Sequence, residues 1–300
     1  MSRNTKIWTG LGFLLIAFGL IIFLAVMISN GFDLSLLSTE KYVTNVHEIE
    51  LEFNDILIKT STADIIFEAA TDDVGKITCF ENENEIHSVF IEDGKLTIEL
   101  NDERKWYEQI GIVTKTPKII LSLPAGQYND LTIDESTGDI LIPSDFQFKH
   151  ERIRTSTGDV ANYASAEHMI NIKTSTGDIR IKKVQTISMM LYVSTGSIDV
   201  SEVKCKEFES DGSTGDLDLK NVVATEKITI NRSTGDISFD SIDAPDIVIT
   251  TDTGEVRGHL LSGKIFDVTS DTGKIKIPDS TGNEKCKIHT STGDIVVKVG

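Results

Sequence analysis

Asn171-Ile172-Lys173-Thr174-Ser175-Thr176-Gly177-Asp178-Ile179-Arg180-Ile181 decides how this chain is read, because its central Ser-Thr-Gly-Asp-Ile recurs with small changes nine times. The copies centre on Gly138, Gly158, Gly177, Gly196, Gly215, Gly235, Gly254, Gly273 and Gly293, at steps of 20, 19, 19, 19, 20, 19, 19 and 20 residues. Stacked structural repeats require units of equal length, since each unit leans only on its neighbours. Aligned on the glycine, the apolar residues fall in columns. Two positions after it stand Ile140, Val160, Ile179, Ile198, Leu217, Ile237, Val256, Ile275 and Ile295. Five before it the column is apolar except at Ser210, and seven before it except at Glu151. Apolar and polar residues alternate on both sides, which is the period of a strand.

The phase of that alternation changes across the glycine, so the chain must bend there, and a glycine free to take positive φ is suited to the bend. Two geometries satisfy the pattern. Thr-Gly is either the corner of a coil, with successive coils stacked in parallel about 4.8 Å apart, or a two-residue hairpin loop between antiparallel strands. Uniform period and column identity favour the coil. The expected fold is therefore all-β: a parallel β-solenoid (β-helix) of 19–20-residue coils.

Ahead of the repeats, residues 7–28 form an uncharged apolar run of 22, about 33 Å long as a helix and sufficient to span a bilayer. Arg3 and Lys6 precede it, and that bias keeps the amino end in the cytoplasm and sends the rest outward. A cleaved signal peptide is the alternative, but Val26-Met27-Ile28-Ser29 lacks a small-x-small cleavage pattern; a buried core helix is the third reading. The expected layout is a cytoplasmic tail (1–6), a transmembrane helix (7–28), a tether (29–46), an irregular β cap with the first coils (47–125) and regular repeats (126–300). Ser61-Thr62-Ala63-Asp64-Ile65 reads as a degenerate first copy, with alanine in the glycine's place. The motif-free stretch from Asp102 to Pro117, which holds Trp106, Tyr107 and Ile110, reads first as a loop or hairpin, with a binding loop that offers aromatic contacts as the alternative. The last copy, ending at Lys298-Val299-Gly300, is expected to close the stack.

The formal charge of −18 becomes −20 once Arg3 and Lys6 are set aside. Such a body repels phosphate backbones, so no nucleic-acid partner is expected. Cys79, Cys205 and Cys286 show neither zinc nor redox spacing, and the six histidines, expected to be exposed, form no recognisable catalytic or metal motif. The apolar amino-terminal run, the Leu123-Pro124-Ala125-Gly126 turn and the Ser-Thr-Gly-Asp-Ile ladder together resemble the bacterial "putative adhesin" family of β-strand-repeat cell-envelope proteins. That resemblance implies a parallel β-solenoid on the outer face of the membrane and a role in envelope-stress sensing or adhesion, and it supplies no catalytic residue.

In a stack, Asp139, Asp159, Asp178, Asp216, Asp236 and Asp294 would line one edge; the row is broken at Ser197, Glu255 and Lys274. Carboxylates about 5 Å apart repel by roughly 0.8 kcal/mol in water. Either cations compensate them, which makes these residues candidate ligands of a weak Ca²⁺ or surface-cation site, or each accepts hydrogen bonds from its own turn. The second reading is preferred. No cofactor is expected. The functional expectation is a membrane-anchored, extracytoplasmic, non-enzymatic interaction protein, its partners being the membrane through the helix and an envelope protein or polysaccharide. A polysaccharide lyase or hydrolase on the same scaffold is the alternative, with Asp199, Asp218 and Asp240 as outward acids and no paired-carboxylate cluster evident.

Overall fold

The computed structural model describes residues 3–29, 31, 41–49, 52–71, 74–102 and 115–300. The aromatic stretch with Trp106, Tyr107 and Ile110, and most of the expected tether, lie outside the described residues. The amino-terminal segment is one α-helix, Arg3–Ser29, within which Trp8–Ser29 (22 residues, mean hydropathy 3.0) is long and apolar enough to cross a bilayer.

The rest is β-structure wound into a solenoid of about nine turns. The columns align as the sequence requires. Ile179, Ile198, Leu217, Ile237, Val256 and Ile295 are successive parallel partners, and so are Ile172, Leu191, Ser210, Ile230, Ile249 and Ile288. All of these side chains are buried, which makes one continuous core along the axis. The Thr-Gly-Asp corner requires glycine for two reasons, seen at Gly177: its φ of +134° is strained for an L-residue, and a Cβ there would lie 2.1 Å from the carbonyl oxygen of Gly158 in the coil before. Ala63 is tolerated at the first corner because its φ is not positive and it starts the corner row, with no earlier corner carbonyl to meet. A second corner, six residues after the glycine, holds Lys183, Glu202, Asn221 and Ser241 at φ of +53° to +59°.

The two ends differ from a simple succession of coils. At the amino-terminal end, Asp55–Lys59 and Asp64–Ala69 form the first coil and pair directly with Asp130–Asp134 and Ile140–Ile142. The intervening chain turns outward, laying Lys95–Asp102 and Lys118–Leu123 on the other side of that coil. Antiparallel strands Glu85–Glu92, Gly75–Asn82 and Tyr42–Ile49 complete the cap. Tyr42–Ile49 begins inside the stretch read as tether, because it pairs with Gly75–Asn82. Antiparallel pairing ends the repeat, which is how an exposed first coil is kept from templating other chains.

At the other end the last copy does not close the stack. Lys285–Thr292 inserts between Asp246–Thr253 and Ile265–Thr272, and Ile295–Val299 between Val256–Leu260 and Ile275–Lys276. The Gly273 coil is therefore outermost. Lys264 fastens this excursion. Its side chain is fully buried, and Nζ reaches Asp243 Oδ1 (2.5 Å), the Ala244 carbonyl (2.8 Å) and the Glu284 carboxylate. A buried ammonium is tolerated only when so paired.

Candidate functional site

The corner row holds the candidate cation ligands, and its geometry gives each of the six aspartates a structural partner. Oδ1 of Asp139 accepts the backbone N–H of Asp159 (2.9 Å), Asp159 that of Asp178 (2.8 Å), Asp178 that of Ser197 (2.7 Å), Asp216 that of Asp236 (2.8 Å), Asp236 that of Glu255 (2.8 Å) and Asp294 that of Lys274 (2.7 Å). The acceptor thus serves the next coil and not its own turn, which corrects the preferred expectation. The reason is that the neighbouring amides are already spent: Gly177 N–H donates to Thr195 and Ile179 N–H to Ser197, both on the following coil. Only the Asp amide is left over, and it points at the carboxylate before it. Lys274 now has an explanation. Among the described residues it sits in the outermost coil, with no further amide stacked beyond it to need an acceptor.

Other departures from the columns also find partners. Glu151, fully buried, accepts Asn162 Nδ2 at 2.8 Å, while its Oε1 has no hydrogen-bond partner. Burial raises the Glu151 carboxyl to about 8 against the opposing Asn162 bond. Glu135 is also raised to about 8, by burial first and then by Asp64 and Asp139, while the Ala63 amide pulls the other way. Ser210 is polar because Arg232 Nη2 donates to its hydroxyl (3.0 Å), and a Cβ on Gly212 would collide with that guanidinium. Burial lowers Arg232 to about 10, against Asp211 and Asp216. Burial pushes the Cys79, Cys205 and Cys286 thiols up to about 12, so all three are protonated at neutral pH. His87 departs from the expectation of exposure: it is buried against Glu81.

A surface feature not foreseen from the columns lies on the outer face of the strands that follow the glycines. Two outward columns run in register there. One is Arg180, Asp199, Asp218, Ser238, Arg257 and Val296; the other is Lys182, Ser201, Lys220, Asp240, His259 and Lys298. They border a groove of about 870 Å³ whose floor includes Phe239 and the bare backbone of Gly258. Gly258 is required there, since a Cβ would fall 2.0 Å from the Phe239 ring. The lining brings five lysines and arginines together with three aspartates. His259 Nδ1 stands 3.6 Å from Asp240 Oδ1, and Ser238 donates to Asp218. Asp199, Asp218 and Asp240 are all solvent-exposed, without the burial that prepares a general acid. Outward columns are variable in charge and carry no periodic signal. A composition reading of −18 conceals a local cationic surface.

A strand path that turns at glycine corners around an in-register core defines the class: a capped parallel β-solenoid. Within that class the chain belongs to the Toastrack DUF4097 family, whose pattern it matches over residues 53–238 and 195–300. No curated protein matches it. Among solved structures it is similar to a "putative adhesin" from Bacteroides fragilis (15% identity, 87% of this chain and 97% of that one, TM-score 0.47). It is similar also to a "putative lipid binding protein" from Parabacteroides distasonis (14%, 72% and 96%, TM-score 0.41). A "putative adhesin" from Parabacteroides merdae aligns at 14% identity over 88% and 98%, with a TM-score of 0.36.

Proposed function

We propose that this chain is a membrane-anchored, extracytoplasmic, non-enzymatic interaction protein whose groove holds an acidic polysaccharide of the cell envelope, in the service of adhesion or envelope sensing. In this reading residues 1–6 stay in the cytoplasm, 7–28 span the bilayer, 29–41 tether, 42–125 cap and 126–300 present the repeats outside. The carrying observation is the groove: five cationic side chains gathered on a body of net charge −18. The cations stand at multiples of the strand spacing, Lys182, Lys220 and Lys298 two and three coils apart in one column and Arg180 and Arg257 four apart in the other. This suits a polymer whose negative charges are spaced along its length, and long-range repulsion by the rest of the surface confines such a polymer to this face. The exposed Asp/Lys/Arg mixture favours reversible, salt-sensitive binding over turnover.

The test is binding of the detergent-solubilised full chain to immobilised polygalacturonate, with uncharged dextran as control. Binding should weaken steeply with added NaCl and fall at least tenfold in Arg180→Glu/Arg257→Glu. Equal binding to dextran, or binding unchanged in the double variant, would remove the groove as the site. Release of reducing ends from the polymer would replace this reading with the hydrolase one.

A further inference from the structure

In the cap, strand Gly75–Asn82 places Cys79 and Glu81 two residues apart on its inward face, and the turn that follows brings His87 of Glu85–Glu92 back over them. All three are buried, at 0%, 1% and 3% exposure. His87 Nδ1 is 2.6 Å from Glu81 Oε2, and the His87 backbone N–H donates to the same oxygen at 2.8 Å. Asn45 Nδ2 donates to the other carboxylate oxygen (2.7 Å), and Thr60 Oγ1 lies 2.9 Å from His87 Nε2. One ligand atom from each of Cys79, Glu81 and His87 lies within 4.8 Å of the other two, a grouping found once among the described residues. An apolar cap core needs no such trio. Cys79 Sγ in particular lies within 4.8 Å of a carboxylate oxygen and an imidazole nitrogen, at a depth where Ile77 on the same strand face is purely apolar.

We propose that Cys79, Glu81 and His87 form a binding site for a zinc-class divalent transition metal. Thiolate, imidazole and carboxylate are the donor set that Zn²⁺ and Co²⁺ take, and a thiolate excludes Ca²⁺ and Mg²⁺ as preferred occupants. Bonds of about 2.0–2.3 Å at the tetrahedral angle set ligand atoms roughly 3.3–3.6 Å apart, so binding parts His87 Nδ1 and Glu81 Oε2 from their present 2.6 Å, while Cys79 Sγ already lies within 4.8 Å of a donor atom of each. The protons balance. Cys79 releases its thiol proton to solvent. The imidazole proton that bridges Nδ1 to Glu81 Oε2 before binding leaves to solvent while one is taken up at Nε2 and donated to Thr60 Oγ1, so the imidazole stays neutral and Nδ1 and Oε2 are both freed for the metal. The dication then meets one thiolate and one carboxylate, so the buried site is neutral overall. Asn45 and Thr60 already stand where the outer partners of a ligating carboxylate and imidazole belong. Glu85–Glu92 joins the first coil through Lys95–Asp102, and Gly75–Asn82 joins it through Lys118–Leu123, so the ion ties together the two sides of the cap.

The test is titration of the full-length, chelator-treated protein in detergent with Co²⁺, read by thiolate-to-cobalt charge-transfer absorption, followed by displacement with Zn²⁺. The expected result is saturation at one equivalent. The band should vanish in Cys79→Ser, persist in Cys205→Ser and Cys286→Ser, and need at least tenfold more Co²⁺ in His87→Gln. No saturable band in the wild type, or a band that survives Cys79→Ser, would overturn the proposal. A second measurement needs no variant: one equivalent of Zn²⁺ should slow alkylation of Cys79 at least tenfold and leave Cys205 and Cys286 unchanged. Unchanged alkylation of Cys79 would overturn it equally.

Discussion

Glu151→Gln isolates a pH dependence stored inside the solenoid. Glu151 has no exposed surface, and burial raises its carboxyl from the ordinary 4.5 to about 8. A raised folded-state pKa contributes stability that is fully present below the unfolded value and is lost as pH climbs through the folded one. Between pH 4.5 and 8 the unfolded chain gives up this proton while the folded chain keeps it, so stability must fall across that interval. At 1.36 kcal/mol per pH unit the full loss is roughly 4–5 kcal/mol, an upper bound that relaxation around the site reduces. The glutamine amide of the variant keeps an oxygen for Asn162 Nδ2 and has no proton to lose. Urea unfolding of the full chain in detergent, followed by β-sheet circular dichroism from about pH 5 to 8.5, should therefore give near-equal midpoints at the acid end. At the alkaline end the variant should lead by at least about 2 kcal/mol. Glu135, raised to about 8 as well, leaves the variant with a residual slope of the same sign. Glu81 adds none in this window: burial works to raise its carboxyl, but the bonds from His87 and Asn45 hold it below its ordinary value, so its share is lost only on acidification. A wild type whose stability is flat or rises over this range, or a variant that tracks it throughout, would refute the reasoning.

Three further outcomes are expected. Gly215→Ala places a Cβ 2.0 Å from the Gly196 carbonyl oxygen at φ +128° and should cost roughly 3–5 kcal/mol in chemical denaturation, whereas Ala63→Gly at the end of the same column should cost under about 1 kcal/mol. Asp178→Ala leaves the Ser197 amide without its acceptor and should lower stability by about 1 kcal/mol, while Asp178→Asn, which still offers Oδ1, should be close to neutral; equal losses in both would favour a cation on the row. Lys264→Met leaves Asp243 and Glu284 facing each other without their cation and should cost roughly 3–5 kcal/mol, with amide exchange rising first in the strands Ile265–Thr272 and Lys285–Thr292 that Lys264 holds in exchanged order.

The parallel coil was legible in the residues because equal steps between glycines and alternation on either side leave few other solutions. Ile179 and its counterparts had to face inward, since a one-residue slip would turn every column outward. The apolar run before the repeats was equally plain. Three things were decided only by contacts between distant parts of the chain. The order of the last two coils depends on the buried Lys264 meeting Asp243 and Glu284, a cluster with no local signature. The Asp row looked like a set of independent turns until stacking showed each carboxylate to serve the amide of the following coil. The polar exceptions Glu151, Ser210 and Lys274 break their columns, yet each is explained by a partner or a place in the stack: Asn162, Arg232, or a position in the outermost of the described coils. Periodicity records what every repeat needs in common. What makes one coil differ from the next is set by its neighbours in space, and those are settled only when the chain is wound.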